Sequence, residues 1–560
     1  MFHNSHQLFF LIIVCSFNHF KRISFYVILI LIFACNHTIA QDQIVTEQLP
    51  VISNFQELAN VYKASAKKEA LKNGFDDGAR EKDEYYGNDN KSEAVLMKST
   101  SVNLPSPEPL ISFLGSEKTL NPQDPMGAVG EDYIITSDNA MLRVHDKTGN
   151  TLSTVITSGV GGFWTELIDN GGFPADPWAV YDPFSKRWII IAALFRGVAG
   201  DLPIDLLIAV SQTSNPLGNW NKYKVIEKGG HTTNVGFSKK WIATSGGIVF
   251  DKNVLYDGLA LSYTNFRESR LRGKVVCTLD SLQEDLYMIR NNVFINGNIS
   301  TTAINKITGN VSSPSLVNAG YVLNSIFPTG AAKSNVILKN GSIWAAFGNS
   351  CGSWGQYCQN IVWGQIDLTN FSAVQSGVIS EPGFNYTNTS IAVNSNNDVI
   401  IGYTYMGTGI YPSAAYSFRY GIDPLNSMRN TKIFQAGQNN CSPYRWGDYA
   451  ISCLDPDGYS LWTLQQAAMP SAPYPNYIPC DQSFWAKVDL NPNCTNLTLL
   501  DDILSGTEKH EASVKIEANN LIDNGTNVEY DAGKYILLNP GFKVQNGGIF
   551  KANIDGCGNQ

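Results

Sequence analysis

Residues 444–462 read Y-R-W-G-D-Y-A-I-S-C-L-D-P-D-G-Y-S-L-W. An arginine and three carboxylates stand among aromatics, which admits an active site, a metal loop or the seam of a β-fold. The inner part, Asp455-Pro-Asp-Gly458, is a tight acidic turn between the apolar runs I-S-C-L and Y-S-L-W, the pattern of a β-hairpin. The same unit, an apolar run, a polar turn and an apolar or aromatic run, recurs at 143–152, 180–191 (V-Y-D-P-F-S-K-R-W-I-I-I), 235–243, 293–300, 336–347 and 391–403. Most copies lie about 40 to 60 residues apart, the length of a four-stranded propeller blade. The expected core is therefore all-β, a six- or seven-bladed β-propeller over residues 110–490, with a large β-sandwich as the structural alternative. A Trp or other aromatic after the turn favours the propeller, because it falls where one blade packs on the next.

Composition agrees. Charged residues are 16% of the chain against roughly 25% in average soluble proteins, while the 48 glycines and 11% aromatics suit turn-rich β structure. A net charge of -9 without a basic stripe excludes nucleic acid as a partner.

Residues 1–40 have the order of a secretory signal, with Lys21 and Arg22 before F-Y-V-I-L-I-L-I-F-A-C and the small-residue ending T-I-A. The apolar run is too short for a membrane span, so no integral span is expected in the mature chain. The alternative processing is lipidation at Cys35. Both place the mature chain outside the cell or on its outer surface. Eight cysteines follow Gln41, and an even number in an exported chain favours disulfides, with Cys351 and Cys358 the easiest local pair. Residues 41–109 read as a leader and linker: helix formers over 54–73, then a polar, charged stretch.

After a connector at 491–512, residues 513–560 form a separate small β domain. Its turns at Asn524-Gly525, Ala532-Gly533, Pro540-Gly541 and Gly547-Gly548 imply short stacked strands. The positions A-G, P-G-F and G-x-x-F in V-E-Y-D-A-G-K-Y-I-L-L-N-P-G-F-K-V-Q-N-G-G-I-F-K-A resemble the 3-coathanger stack domain of secreted Bacteroidetes-type proteins. That resemblance implies an accessory surface module without catalysis. The stretches N-P-Q-D-P-M-G-A-V-G (121–130), D-P-W-A-V-Y-D-P-F-S-K-R-W (176–188), I-A-V-S-Q-T-S-N-P-L-G-N-W (208–220) and R-W-G-D-Y resemble a group of exported bacterial proteins with sialidase-like propellers. The fold implies little about activity. A true sialidase would bring an arginine triad, for which Arg187, Arg419 and Arg445 are available, and a Tyr nucleophile backed by Glu.

The candidate ligand-binding residues are Asp124 in Q-D-P-M-G, Asp176 in P-A-D-P-W, and Arg445, Asp448 and Tyr449 in R-W-G-D-Y. Their functional reading is a polar site near the propeller axis. Their structural reading is a set of turn caps and ion pairs, since Asp before Pro commonly starts a turn. No cofactor is expected beyond a structural calcium at Asp455 and Asp457, although an EF-hand loop needs a longer acidic series ending in Glu. Zinc is disfavoured, with no C-x-x-C and only His145, His231 and His510 after Gln41. No P-loop, dinucleotide or Ser-His-Asp signature appears. Aromatic loops at 353–357 and 470–479 offer rings for stacking on sugars. The expectation is a secreted or cell-surface protein that binds an extracellular glycan or protein. The alternative is a glycan hydrolase on the same fold.

Overall fold

The computed structural model describes residues 42–69, 103–117, 122–169, 171–195, 205–226, 234–266, 273–295, 299–322, 334–351, 358–439, 448–470, 481–488, 497–499, 501–512, 515–532 and 535–554. The proposed signal at 1–40 and the polar linker at 70–102 lie outside them.

Among the described residues the chain forms a seven-bladed β-propeller. The seven inner strands are Met126–Val129, Phe173–Asp182, Val235–Phe237, Lys274–Val275 continued by Cys277–Thr278, Val336–Lys339, Phe384–Val393 and Ile451–Leu454. Each neighbours the next, and the seventh returns to the first, so the ring is closed. Outward from each inner strand the chain meanders through antiparallel partners. Every blade is covered on both faces by its neighbours, so its strands read as continuous apolar runs rather than alternating ones. Arg187–Phe195 (R-W-I-I-I-A-A-L-F) and Asp205–Ser211 (D-L-L-I-A-V-S) are buried almost throughout.

The seven recurring turns fall one to a blade. Five of them join an inner strand to the second strand, while 143–152 joins the outer two strands of blade 1 and 293–300 lies at the other end of blade 4. Of the aromatics after these turns, Trp188, Trp241, Trp344 and Trp462 are all buried. They fill the seams between blades. A Cβ on Gly130 of blade 1 would lie 2.4 Å from the Trp188 ring of blade 2, and Trp241 of blade 3 donates its indole N–H to Val311 O of blade 4 at 3.2 Å.

Polar ties cross every seam at the face carrying the inner hairpins. Lys186 meets Glu131 at 2.7 Å between blades 1 and 2. Lys252 and the Tyr256 hydroxyl meet Asp182 at 2.5 and 2.8 Å between blades 2 and 3. Ser238 Oγ donates to Glu284 O at 2.8 Å between blades 3 and 4. Asp280 accepts the backbone N–H groups of Asn340 and Gly341 at 2.8 and 2.7 Å between blades 4 and 5. The Asn340 amide donates to Asn397 Oδ1 at 2.8 Å between blades 5 and 6, and Asn394 donates to Tyr459 O at 2.8 Å between blades 6 and 7. Lys147 closes the circle on Asp455 at 2.6 Å between blades 7 and 1.

Asp455-Pro-Asp-Gly458 is therefore a blade hairpin. Asp455 Oδ2 also accepts the Trp462 indole N–H at 2.7 Å, Asp457 caps the backbone N–H groups of Tyr459 and Ser460 at 2.7 and 2.8 Å, and Gly458 supplies the positive φ of 82° the turn needs. These carboxylate oxygens are engaged by the chain's own donors.

The leader is more ordered than its composition predicts. Asp42–Val45 pairs with Ser262–Asn265 and Val51–Asn54 with Asn219–Val225, each adding a fifth strand to the outer edge of blade 3 or blade 2. The predicted helix runs Phe55–Glu69. Asn54 caps it by accepting the Glu57 N–H at 3.1 Å, and Phe55 and Ala59 bury against Phe163, Trp164 and Trp220. Short strands escape periodicity analysis when a pre-existing sheet edge supplies most of their stability. Among the described residues no helix is long and apolar enough to cross a membrane.

The C-terminal strands stack in parallel, rung on rung: Leu497–Leu499, Lys515–Ala518 and Tyr535–Leu538 form one face, and Thr507–Ala512, Asn527–Ala532 and Ile549–Asn553 another. The first rung thus uses residues from Leu497 onward that sequence composition assigns to a connector.

His145 is wholly buried in blade 1 beside Phe113, its ring nitrogens 3.0 Å from Thr136 Oγ1 and 3.1 Å from Thr151 Oγ1. Burial first, and then the nearby Arg143, push its pKa down to about 4. The unfolded imidazole takes up a proton near pH 6.5 and the folded one only near pH 4, so acidification through that window favours the unfolded chain. Stability should fall by a few kcal/mol between those pH values, and thermal denaturation of His145→Gln should show a flatter pH profile there. At the seam of blades 2 and 3, Asp182→Ala strands the buried Lys252 ammonium. It should cost about 3–5 kcal/mol in chemical denaturation, as expected for breaking a buried ion pair.

Candidate functional site

At the face opposite the tied hairpins, the segments leading into the inner strands of blades 7, 1 and 2 meet around Asp124. Its Oδ1 accepts the backbone N–H of Asp448 at 2.6 Å, and its Oδ2 accepts the Asn139 amide at 2.7 Å. Asn139 Oδ1 in turn accepts the backbone N–H of Asp176 at 2.8 Å. The chain Asp448–Asp124–Asn139–Asp176 therefore laces three blades together. Asp124 and Asp176 both hold left-handed backbone, with φ of 51° and 53°, an uncommon state for a residue with a Cβ and the kind of strain that surrounding structure must over-determine. Pro follows each of them: Asp124-Pro125 enters its inner strand, while Asp176-Pro177 forms a bulge within Phe173–Asp182.

Three of the five residues singled out in the sequence are thus brought together. Asp124 and Asp176 are buried and Asp448 is half-buried. Tyr449 is fully buried and packs edge-on against Trp178, with ring centroids 5.8 Å apart. It forms part of the core wall two residues before the inner strand Ile451–Leu454. Arg445 lies outside the described residues, as do the aromatic loop at 353–357 and nearly all of that at 470–479. The strands that flank both loops and the segment before Asp448 reach this same face.

Asn139 carries no sequence signal of its own, yet it is the hub. Two other asparagines do the same work at this face. Asn234 Oδ1 accepts the Val275 N–H at 2.7 Å, and Asn335 both accepts from and donates to the Ile391 backbone, at 2.9 and 2.8 Å. Each stands immediately before an inner strand, and only the tertiary approach of the next blade shows what it serves.

Of the three arginines, Arg187 and Arg419 are among the described residues, on blades 2 and 6. Arg187 Nη1 donates to Ser185 O at 3.1 Å and Arg419 Nη2 to Asp423 O at 2.9 Å, both at the hairpin face, away from Asp124. A Tyr–Glu pair exists in blade 6, where the Tyr405 hydroxyl donates to Glu381 at 2.6 Å. Tyr405 is buried and stacked under Phe384 at 4.7 Å, and burial together with Glu381 raises its pKa. It is not presented to a substrate.

Along the axis runs a largely apolar cavity lined by Trp178, Phe237, Cys277, Ile337, Ile451 and Cys453 among others. Cys277 and Cys453 are free thiols, which departs from the all-disulfide expectation. Burial pushes the Cys277 thiol up to about 12 and raises Cys453 as well, so both stay protonated. Among the described residues no group of three or more His, Cys, Asp or Glu is placed to hold a metal ion.

The fold defines a seven-bladed β-propeller with a parallel β-stack after it. Solved structures match at very low identity and low TM-score. The Dos1 propeller matches at 9% identity over 68% of this chain and 94% of its own, with a TM-score of 0.35. The phage phi92 endosialidase matches at 8% over 69% of each chain, with a TM-score of 0.37. The Hadza microbial sialidase Hz136 matches at 8% over 66% of this chain and 65% of its own, with a TM-score of 0.34. No family model matches the sequence, and no curated protein does.

Asn139→Ala removes an acceptor and a donor from buried partners and should cost about 1–3 kcal/mol for each group left unsatisfied. Asn139→Asp sets a carboxylate against Asp124 and should destabilise further at neutral pH, with partial recovery on acidification. Thermal unfolding of both variants at pH 5 and pH 7.5 checks the order.

Proposed function

We propose that the protein is a secreted or cell-surface binding protein whose entry-face loops recognise an extracellular glycan or protein, without turning it over. The observation that carries this reading is the state of Asp124. Both of its oxygens accept hydrogen bonds from the chain's own Asp448 N–H and Asn139 amide, so the best-placed carboxylate of the rim acts as a strut rather than as a general acid or base. This reading assigns contact to the Trp- and Tyr-bearing stretches at 353–357 and 470–479, whose flanking strands reach this face.

The reading includes export. The signal-like order of residues 1–40 supports it, as does the placement of Cys351 directly across the ladder from the disulfide-bonded Cys358. The C-terminal stack is taken as a 3-coathanger-type accessory module of Bacteroidetes-type secreted proteins, supported by its A-G, P-G-F and G-x-x-F positions falling at the turns and rungs. The second reading is a propeller glycan hydrolase, favoured by one observation: half-buried Asp448 stands beside Asp124 at the rim.

Purified residues 41–560 and Asp448→Asn would be tested on immobilised glycans and fluorogenic glycosides. Asp448 meets Asp124 through its backbone N–H, so the substitution leaves that tie available. Retention on a glycan without product release is the expected result. Release that disappears in Asp448→Asn would make the protein a hydrolase, and silence on both panels would leave a protein ligand.

A further inference from the structure

Cys277 and Cys453 stand on the inner strands of blades 4 and 7, nearly opposite one another in a ring of seven. Both are free thiols, both line the axial cavity, and neither is wholly sealed by its neighbours. They are close enough that charge on Cys277 would raise the Cys453 thiol. The chain holds each of them weakly: the Cys277 thiol reaches Val235 O at 3.9 Å and the Cys453 thiol reaches Gly127 O at 4.0 Å, well beyond an ordinary hydrogen bond. On the same wall Trp178 is 1% exposed, yet its indole N–H has no acceptor among the described residues, a costly state for a buried donor. Asn335 and Ser452, also on the wall, are taken up by Ile391, Ser390 and Thr463, and most of the remaining wall is apolar. The cavity measures about 60 Å³, against about 150 Å³ for one that holds benzene and about 300 Å³ or more for ordinary ligand pockets. Size therefore favours a single small ion over an organic ligand.

We propose that Cys277 and Cys453 form a two-coordinate site for a soft monovalent metal ion of the copper(I) class, held on the propeller axis. Soft ions of this class select sulfur, and two thiolates on opposite sides of the ion satisfy them. Two sulfurs therefore suffice here, where zinc takes about four ligands and calcium about six oxygens or more. Binding forms two metal–sulfur bonds and releases both thiol protons to solvent, leaving a bis-thiolate complex with a single negative charge. That charge is costly in an apolar cavity, and the unpartnered Trp178 N–H supplies a donor for it. Hard, hydrated cations are disfavoured, because they would shed water without gaining oxygen ligands. The metal would bridge blades 4 and 7 directly across the ring. The site is separate from the entry-face loops and does not depend on what they bind.

Purified residues 41–560 would be titrated anaerobically with copper(I) presented as its bicinchoninate complex, whose colour fades as the protein takes the metal. The expected result is one equivalent more per chain in the wild type than in either Cys277→Ser or Cys453→Ser, with uptake that strengthens as pH rises because both protons must leave. Trp178→Phe should keep the stoichiometry and bind about tenfold or more weakly, as for a lost hydrogen bond to a charged group. X-ray absorption at the copper edge of the wild type should show two sulfur neighbours. Circular dichroism and an unchanged melting temperature without metal would show that the variants fold. Equal uptake in the wild type and both cysteine variants overturns the proposal, and so does loss in only one of them, which marks a single-thiol adduct. Nitrogen or oxygen neighbours at the copper edge overturn it without recourse to variants, as does a Cys277–Cys453 disulfide found by peptide mapping of the purified protein.

Discussion

Everything in the propeller depends on closing a ring of seven inner strands. A blade's two faces are apolar and can be buried only by neighbours on both sides, so an open ring would leave two blade faces in water. Closure is made by a strand from the opposite end of the domain: Ile111–Ser116 pairs with Asp481–Val488, from Ile111 against Lys487 to Ser116 against Ser483. At its end Ser116 is locked into blade 1. Its hydroxyl donates to Asp138 and accepts from Arg143 at 2.6 Å, while Gln123 donates to its carbonyl at 3.2 Å. The first and last blades are thus fixed by hydrogen bonds spanning almost the whole propeller sequence.

The two faces of the ring use different chemistry for the same mechanical end. At the hairpin face the ties are mostly charged or carboxylate-based, some buried and some exposed. At the entry face they are asparagine amides, which offer a donor and an acceptor in one plane and can mimic a strand for the neighbouring backbone. A carboxylate among them, as at Asp124, is consumed in the framework. A propeller mouth rich in acidic residues in sequence is therefore not by that fact a catalytic mouth, since the same residues hold strained entries into the inner strands.

The leader and the stack extend this logic of edges. Two leader strands cover the outer edges of blades 2 and 3, and the helix after them buries Phe55 and Ala59 beside blade 1. The stack covers its own edges internally by adding rungs. The free thiols follow from position: Cys277 and Cys453 sit on inner strands from blades 4 and 7, facing the axial cavity, where burial keeps them protonated.

The sequence by itself determined the all-β class, the blade-length recurrence, the capped helix after Asn54 and the stacked C-terminal strands, because turn residues and apolar periodicity are local. It also singled out Asp124, Asp176 and Asp448, since an Asp before Pro or after Gly has a visible local signature. Only the tertiary structure decided that there are seven blades, that Asn139 is the hub joining those aspartates, that Tyr449 turns into the core and that Arg187 and Arg419 lie at the wrong face for a triad. Each of these depends on which blade stands next to which. An asparagine awaiting a backbone N–H some 40 residues away looks, in sequence, like any loop asparagine.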